Sequence, residues 1–258
     1  MNVAALIAAA SLAAAPPPVA DDPGLVVAHG GTIYVEGRAV ARGGEPTWSP
    51  DGRRIAFSRL GEIYVADANG GNERRLTTMQ QPVSHPAWSP DGRTIAFSGI
   101  RDVYTVPASG GRPKNLTRSP KPWLLRTTPS YSPDGRTIAI SASTDAYNSD
   151  VFLLRADGSA MRRLTRSQGA HTRHGEESVP DFSPDGKRVV YTSNRDGNVE
   201  LYSIGVDGRN ERRLTRTPRA DEDAPRFSAD GKRILYARGG RIAHMAASGG
   251  DVRELGAG

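Results

Sequence analysis

Short apolar runs, none of helical length, alternate with turn residues along most of the chain. Five follow one pattern. Arg54–Phe57, Thr94–Phe97, Thr137–Ile140, Arg188–Tyr191 and Arg233–Tyr236 each set β-branched or aromatic residues among small ones. Runs this short, bounded by Gly, Pro, Asn and Asp, read as strands, and no 3.6-residue stripe long enough for a packed helix separates them. A tight turn precedes each run. Pro46-Thr47-Trp48-Ser49-Pro50-Asp51-Gly52 returns as Pro86-Ala87-Trp88-Ser89-Pro90-Asp91-Gly92, Pro129-Ser130-Tyr131-Ser132-Pro133-Asp134-Gly135, Pro180-Asp181-Phe182-Ser183-Pro184-Asp185-Gly186 and Pro225-Arg226-Phe227-Ser228-Ala229-Asp230-Gly231, at spacings of 40, 43, 51 and 45 residues.

In this turn Pro pre-sets its own φ, Ser and Asp bond back to the backbone, and Gly52, Gly92, Gly135, Gly186 and Gly231 accept positive φ. After a variable loop, Ile63-Tyr64-Val65, Val103-Tyr104-Thr105, Val151-Phe152-Leu153, Leu201-Tyr202-Ser203 and Ile242-Ala243-His244 open a third strand. A second turn at Asn69-Gly70-Gly71, Ser109-Gly110-Gly111, Asp157-Gly158, Asp207-Gly208 and Ser248-Gly249-Gly250 leads into a fourth, which ends in Leu-Thr in the first four copies and at Leu255 in the last. Four short antiparallel strands in about 40 residues make one blade of an all-β propeller. Leu25–Ala28, Thr32–Val35 and Ala39–Arg42 read as the last three strands of a further unit, so six blades are expected, the first partial. The expected units span residues 24–44, 45–84, 85–127, 128–178, 179–223 and 224–258. Little strand exchange is expected to close the ring.

Composition narrows the functional classes. The absence of Cys excludes a disulfide scaffold, a thiolate metal site and a Cys nucleophile. The net charge of +6 comes mostly from Arg, but pairs such as Arg74-Arg75, Arg162-Arg163 and Arg212-Arg213 recur with the repeat and so spread around the molecule. A nucleic-acid binder gathers its cations on one surface, so nucleic acid is not an expected partner. Residues 1–20 carry no charged side chain, and Val3–Ala15 is an unbroken run of apolar and small residues, too short to span a bilayer. It fits the apolar core of a secretory signal peptide, although no basic residue precedes it. A periplasmic or secreted monomer without a transmembrane segment is expected.

The units, with Trp-Ser-Pro-Asp-Gly, then Ile-Ala-Phe-Ser, then Gly-Gly and Arg-Leu-Thr, resemble the WD40-like repeats of TolB-type β-propellers over residues 24–255. The resemblance implies an exported, non-enzymatic propeller that binds an envelope protein or peptide, in Tol-Pal-like interactions, without a cofactor. TolB itself has an α/β domain of more than 100 residues ahead of its propeller, and only about 24 residues precede the repeats here. Prolyl-oligopeptidase-type peptidases use similar repeats as a regulatory propeller; their catalytic Gly-x-Ser-x-Gly is not found in this sequence, which leaves the separate regulatory propeller of such a peptidase as one alternative reading.

Candidate binding residues come from the segments leading into the innermost strands, where loops on a rigid frame meet the channel rim. These are His85, Arg126, Glu176, Glu177, Asp221 and Asp223, with Trp123 as an apolar loop residue outside the repeat. His171 and His174, next to Glu176 and Glu177, have the donor chemistry of a divalent-metal site, which leaves a metal- or small-ligand-binding enzyme as the competing reading. Trp48, Trp88, Tyr131, Phe182 and Phe227 share one repeat position and are expected in the cores between blades. Asp51, Asp91, Asp134, Asp185 and Asp230 are expected to be structural residues of the turns.

Overall fold

The computed structural model of the chain describes residues 26–118, 128–143, 149–166, 179–218 and 220–255. Six antiparallel sheets follow one another in sequence. The first holds β1 (Val26–His29), β2 (Thr32–Val35) and β3 (Arg38–Arg42); the second β4 (Gly44–Trp48), β5 (Arg54–Arg59), β6 (Glu62–Asp67) and β7 (Arg74–Arg75). The third holds β8 (Ser84–Trp88), β9 (Thr94–Ser98), β10 (Val103–Pro107) and β11 (Lys114–Asn115); the fourth β12 (Ser130–Tyr131), β13 (Thr137–Ser143), β14 (Ser149–Arg155) and β15 (Met161–Arg163). The fifth holds β16 (Asp181–Phe182), β17 (Arg188–Ser193), β18 (Glu200–Gly205) and β19 (Arg212–Arg213); the sixth β20 (Glu222–Phe227), β21 (Arg233–Arg238), β22 (Arg241–Ala246) and β23 (Arg253–Leu255). This is the expected all-β, six-bladed propeller with a partial first blade. β1 packs on β4 as β5 packs on β8 and β17 on β20, so β1 takes the second-strand position of its blade.

The Ile-Ala-Phe pattern is explained by blade stacking. Ile55 and Phe57 pack toward the first blade with Trp48, Val26 and Ile33, whereas Ala56 points the other way, into the cluster containing Trp88, Ile95 and Phe97. All three are fully buried. Large side chains therefore face the preceding blade, and a small one makes room for the aromatic of the following blade. The same alternation gives Ile138, Ala139 and Ile140 in the fourth blade, and five such cores join the six blades. Trp48, Trp88, Phe182 and Phe227 lie in these cores, and half-buried Tyr131 packs against one. Cross-strand stacks of Phe57 on Tyr64, Phe97 on Tyr104 and Tyr191 on Tyr202 add aromatic contact within blades. Among the described residues, no core cluster and no shared sheet joins the sixth blade to the first.

The Ser-Pro-Asp-Gly turns are closed by side-chain hydrogen bonds. In the fourth blade Ser132 Oγ donates to Asp134 Oδ1 at 2.6 Å, the Arg136 N–H donates to the same oxygen, and the Thr137 N–H donates to Ser132 Oγ. The five turn glycines all lie near φ +66° to +69°. The second proline also reaches across blades: Pro50, Pro90, Pro133 and Pro184 lie nearest the point where a Cβ on Gly92, Gly135, Gly186 or Gly231 of the following blade would be placed. Ala229 replaces this proline only in the last copy.

The Leu-Thr strand ends are a second structural device. Thr77, Thr117, Thr165 and Thr215 accept, through Oγ1, the N–H of Ile63, Val103, Val151 and Leu201, the residues that open the third-strand apolar triplets. Thr77, Thr117 and Thr165 donate the hydroxyl proton to the acid just before that residue, Glu62, Asp102 or Asp150. Burying a backbone N–H without a partner costs about 1–3 kcal/mol, which accounts for the recurrence of the threonine.

Candidate functional site at the channel mouth

Each innermost strand starts at one face of the propeller and ends at its Ser-Pro-Asp-Gly turn on the other. Pro-x-aromatic therefore lines the central channel, and, among the described residues, the starts of β4, β8 and β20 lie at its mouth. A cavity of about 150 Å³ on this axis is lined by residues of blades two to six, among them Thr47, Ala87, Ser130, Asp181 and Arg226. These five occupy the same place in the repeat, between the proline and the aromatic. They differ in every blade while their neighbours recur.

Asp181 is the group that ties this wall together. It accepts from Ser130 Oγ of the fourth blade at 3.0 Å and from the Phe227 N–H of the sixth at 2.9 Å. Burial in the channel raises its carboxyl above the ordinary carboxylate range, against the opposing pull of Arg226 and these two donors. One side chain thus bridges three consecutive blades.

The mouth itself is built by strand irregularities. Register shifts interrupt the innermost strands between Gly44 and Thr47, Ser84 and Ala87, and Asp223 and Arg226. Within them Glu45, His85 and Ala224, each just before the repeat's proline, adopt φ of 53°, 52° and 50°. Left-handed backbone at a non-glycine residue costs about 1–3 kcal/mol and collects where a site needs a fixed shape. Glu45 Oε2 accepts the His85 N–H at 2.8 Å and Ser58 Oγ at 2.9 Å, while Glu45 Oε1 lies 3.3 Å from His85 Nε2. Ser84 Oγ closes the set on His85 Nδ1. The bulges aim an acid and an imidazole at the mouth from adjacent blades.

His85, within β8, lines the cavity and is held by Glu45. Asp221 and Asp223 flank Glu222 at the start of β20, and their Oδ1 atoms accept the N–H of Val199 and of Ala224. Trp123, Arg126, His171, His174, Glu176 and Glu177 lie outside the described residues. Among the described residues no group of three or more His, Asp or Glu is arranged to hold a metal ion. Glu45, Asp181, Arg226 and Glu222 are absent from the sequence-derived candidates. Two of them carry a readable signal: Asp181 and Arg226 are the charged residues at the variable position of an otherwise recurring motif.

The comparisons agree with this architecture. The family profile described as TolB beta propeller domain matches residues 121–258, more than half the chain. Over 61 residues the chain is 41% identical to the Tol-Pal system protein TolB of Bordetella pertussis, a stretch that is 23% of this chain and 13% of that protein. The chain therefore matches only a small part of that relative's length. Among solved structures, a putative TolB from Agrobacterium tumefaciens superposes with a TM-score of 0.71 at 24% identity, over 84% of this chain and 83% of that one. TolB from Acinetobacter baumannii gives 0.67 at 25% identity, over 79% and 53%. With the profile covering its C-terminal half and these two TolB structures sharing its ring of blades, the chain belongs to the TolB β-propeller family.

Proposed function

We propose that the chain is an exported, non-enzymatic scaffold that binds an envelope protein or peptide at the channel mouth, as part of a Tol-Pal-type system. The observation that carries this reading is the mouth: two adjacent bulges in left-handed backbone hold Glu45 and His85 in one fixed polar arrangement. A pre-shaped rim loses little entropy on docking a partner, which is where affinity is usually lost. The Bordetella relative's name supports the envelope setting. Export is supported by the uncharged, apolar first 20 residues, which we assign to a signal, with the propeller at 24–258.

The test is capture of partners from the envelope fraction of the source cells by the wild-type chain, His85→Ala, and Arg136→Ala on the opposite face. The proposal predicts an envelope protein held by wild type and by Arg136→Ala, with at least tenfold weaker affinity for His85→Ala. Equal affinity across all three contradicts the mouth assignment.

A further inference from the structure

Glu200 and Glu222 stand out because both side chains are wholly shielded from solvent, in adjacent blades, and meet. Glu200 sits at the repeat position of Glu62, Asp102 and Asp150. Aligned on the repeat's proline, the position of Glu222 is Gly43 in the second blade, Val83 in the third, Arg126 in the fourth and Glu177 in the fifth. A buried carboxyl is costly unless it is paired and hydrogen-bonded.

The hydrogen bonds show what it requires. Thr217 Oγ1 lies 3.3 Å from Glu200 Oε2 and also within hydrogen-bond reach of Glu222 Oε1. The Thr215 hydroxyl also donates to Glu222 Oε2, at 3.2 Å. The Thr217 hydroxyl, with a single proton, thus stands between two buried carboxyls, and two carboxyls that share one water-excluded site do not both ionise, so one of them is a carboxylic acid. Arg213 Nη2 and the Thr217 N–H donate to Glu200 Oε1 at 2.9 and 2.7 Å. Arg238 is the only cation near Glu222 among the described residues, at 3.9 Å and with one N–H edge. Glu222 is therefore the acid and Glu200 the carboxylate.

We propose that the Glu200–Glu222 pair is a proton-operated latch, which with one shared proton clamps the Thr215–Thr217 stretch across the fifth and sixth blades on the channel-mouth face, and releases it when that proton is lost. Burial, and then the neighbouring Glu200, raise Glu222 to about 7. Burial also works against charge on Glu200, but the Thr215 hydroxyl, the Thr217 N–H and Arg213 outweigh it and hold that carboxyl low. Among the described residues, the other charged or titratable groups around the pair are Asp196 behind Arg213, Asp221 on the Val199 N–H, Tyr236 of β21 and Glu254 of β23. Tyr236 stays protonated throughout, because burial and then Glu222 lift it to about 12. The latch concerns the fold at the mouth and stands whether or not the proposed partner binding does.

The test is residue-resolved amide hydrogen exchange at pH 5.5 and pH 8.5, corrected for intrinsic rates. It follows Thr217 N–H, with Met79 N–H as an internal reference, because Met79 donates to Glu62 as Thr217 does to Glu200, where the following blade carries Val83 in place of Glu222. Protection of Thr217 is expected to fall at least tenfold at the higher pH, that of Met79 to hold, and Glu222→Gln to abolish the difference. An unchanged Thr217, a parallel loss at Met79, or a pH drop that survives in Glu222→Gln overturns the latch. Should Glu222→Gln not fold, a carbon-13 carboxyl titration of the wild-type chain decides the matter: Glu222 titrating in the ordinary glutamate range overturns it, and titration near neutrality supports it.

Discussion

The glycine of the second turn offers a graded test of blade packing, because four blades present the same backbone with different clearances. Gly70, Gly158, Gly208 and Gly249 have φ of +87°, +79°, +81° and +92°. Alanine at any of them meets the same left-handed strain, about 1–2 kcal/mol. Their surroundings differ. A Cβ at Gly208 or Gly249 would stand 3.9 or 3.7 Å from the carbonyl oxygen of Leu164 or Leu214 in the preceding blade, which is ordinary contact. At Gly158 it would come to 2.9 Å from the Leu116 oxygen, and at Gly70 it would overlap the Val40 oxygen outright. Backbone cannot swing aside as a side chain can, so Gly70→Ala carries an overpacking cost of roughly 1–3 kcal/mol in addition to the strain. Urea unfolding followed by circular dichroism and tryptophan fluorescence should rank the variants Gly208→Ala and Gly249→Ala mildest, Gly158→Ala intermediate and Gly70→Ala worst. The two ends should differ by about 1–3 kcal/mol, or roughly 2–12 °C in melting temperature for a chain of this size. Equal destabilisation at Gly70 and Gly208 would refute the close stacking of the second blade on the first.

Three further outcomes follow from the same structure. Asp181→Ala removes the acceptor for Ser130 and the Phe227 N–H and should cost about 1–3 kcal/mol in thermal unfolding, with Asp181→Asn recovering part of the loss. Thr165→Val keeps the shape but strips the Val151 N–H of its acceptor and Asp150 of a donor, so about 1–3 kcal/mol should be lost there, while Thr165→Ser stays close to wild type. The turn carboxyl of Asp134 is held below 3.8, chiefly by the Ser132 hydroxyl and the Arg136 N–H. Its stabilisation is therefore present above that value and lost as pH falls through the lower folded value, and Asp134→Asn should flatten the acid limb of a melting-temperature profile.

The fold was legible because its devices are local and repeated. Ser49-Pro50-Asp51-Gly52 declares a turn without reference to the rest of the chain, and Ile55-Ala56-Phe57 declares a strand buried on both faces. The count of six blades followed from spacing. What the sequence hid is what depends on neighbours. The bulges at Glu45, His85 and Ala224 arise from a register shift that no dipeptide announces. Asp181 looks like one polar residue in a variable slot until its two partners arrive from the fourth and sixth blades. Glu222 is one of three adjacent acids in the sequence, and only strand alternation in β20 separates it, turned inward, from exposed Asp221 and half-buried Asp223. The channel-lining slot is visible in the sequence as the one position that differs in every copy between the constant proline and the aromatic.

The central claim is that the channel mouth, rather than the opposite face, is where this propeller meets another envelope component. A photo-activatable amino acid placed at His85 and, separately, at Arg136 in the chain expressed in its own cells tests it directly. Irradiation should give a discrete cross-linked product at position 85, containing an envelope protein by mass spectrometry, and none at position 136. A specific product confined to position 136 would contradict the claim.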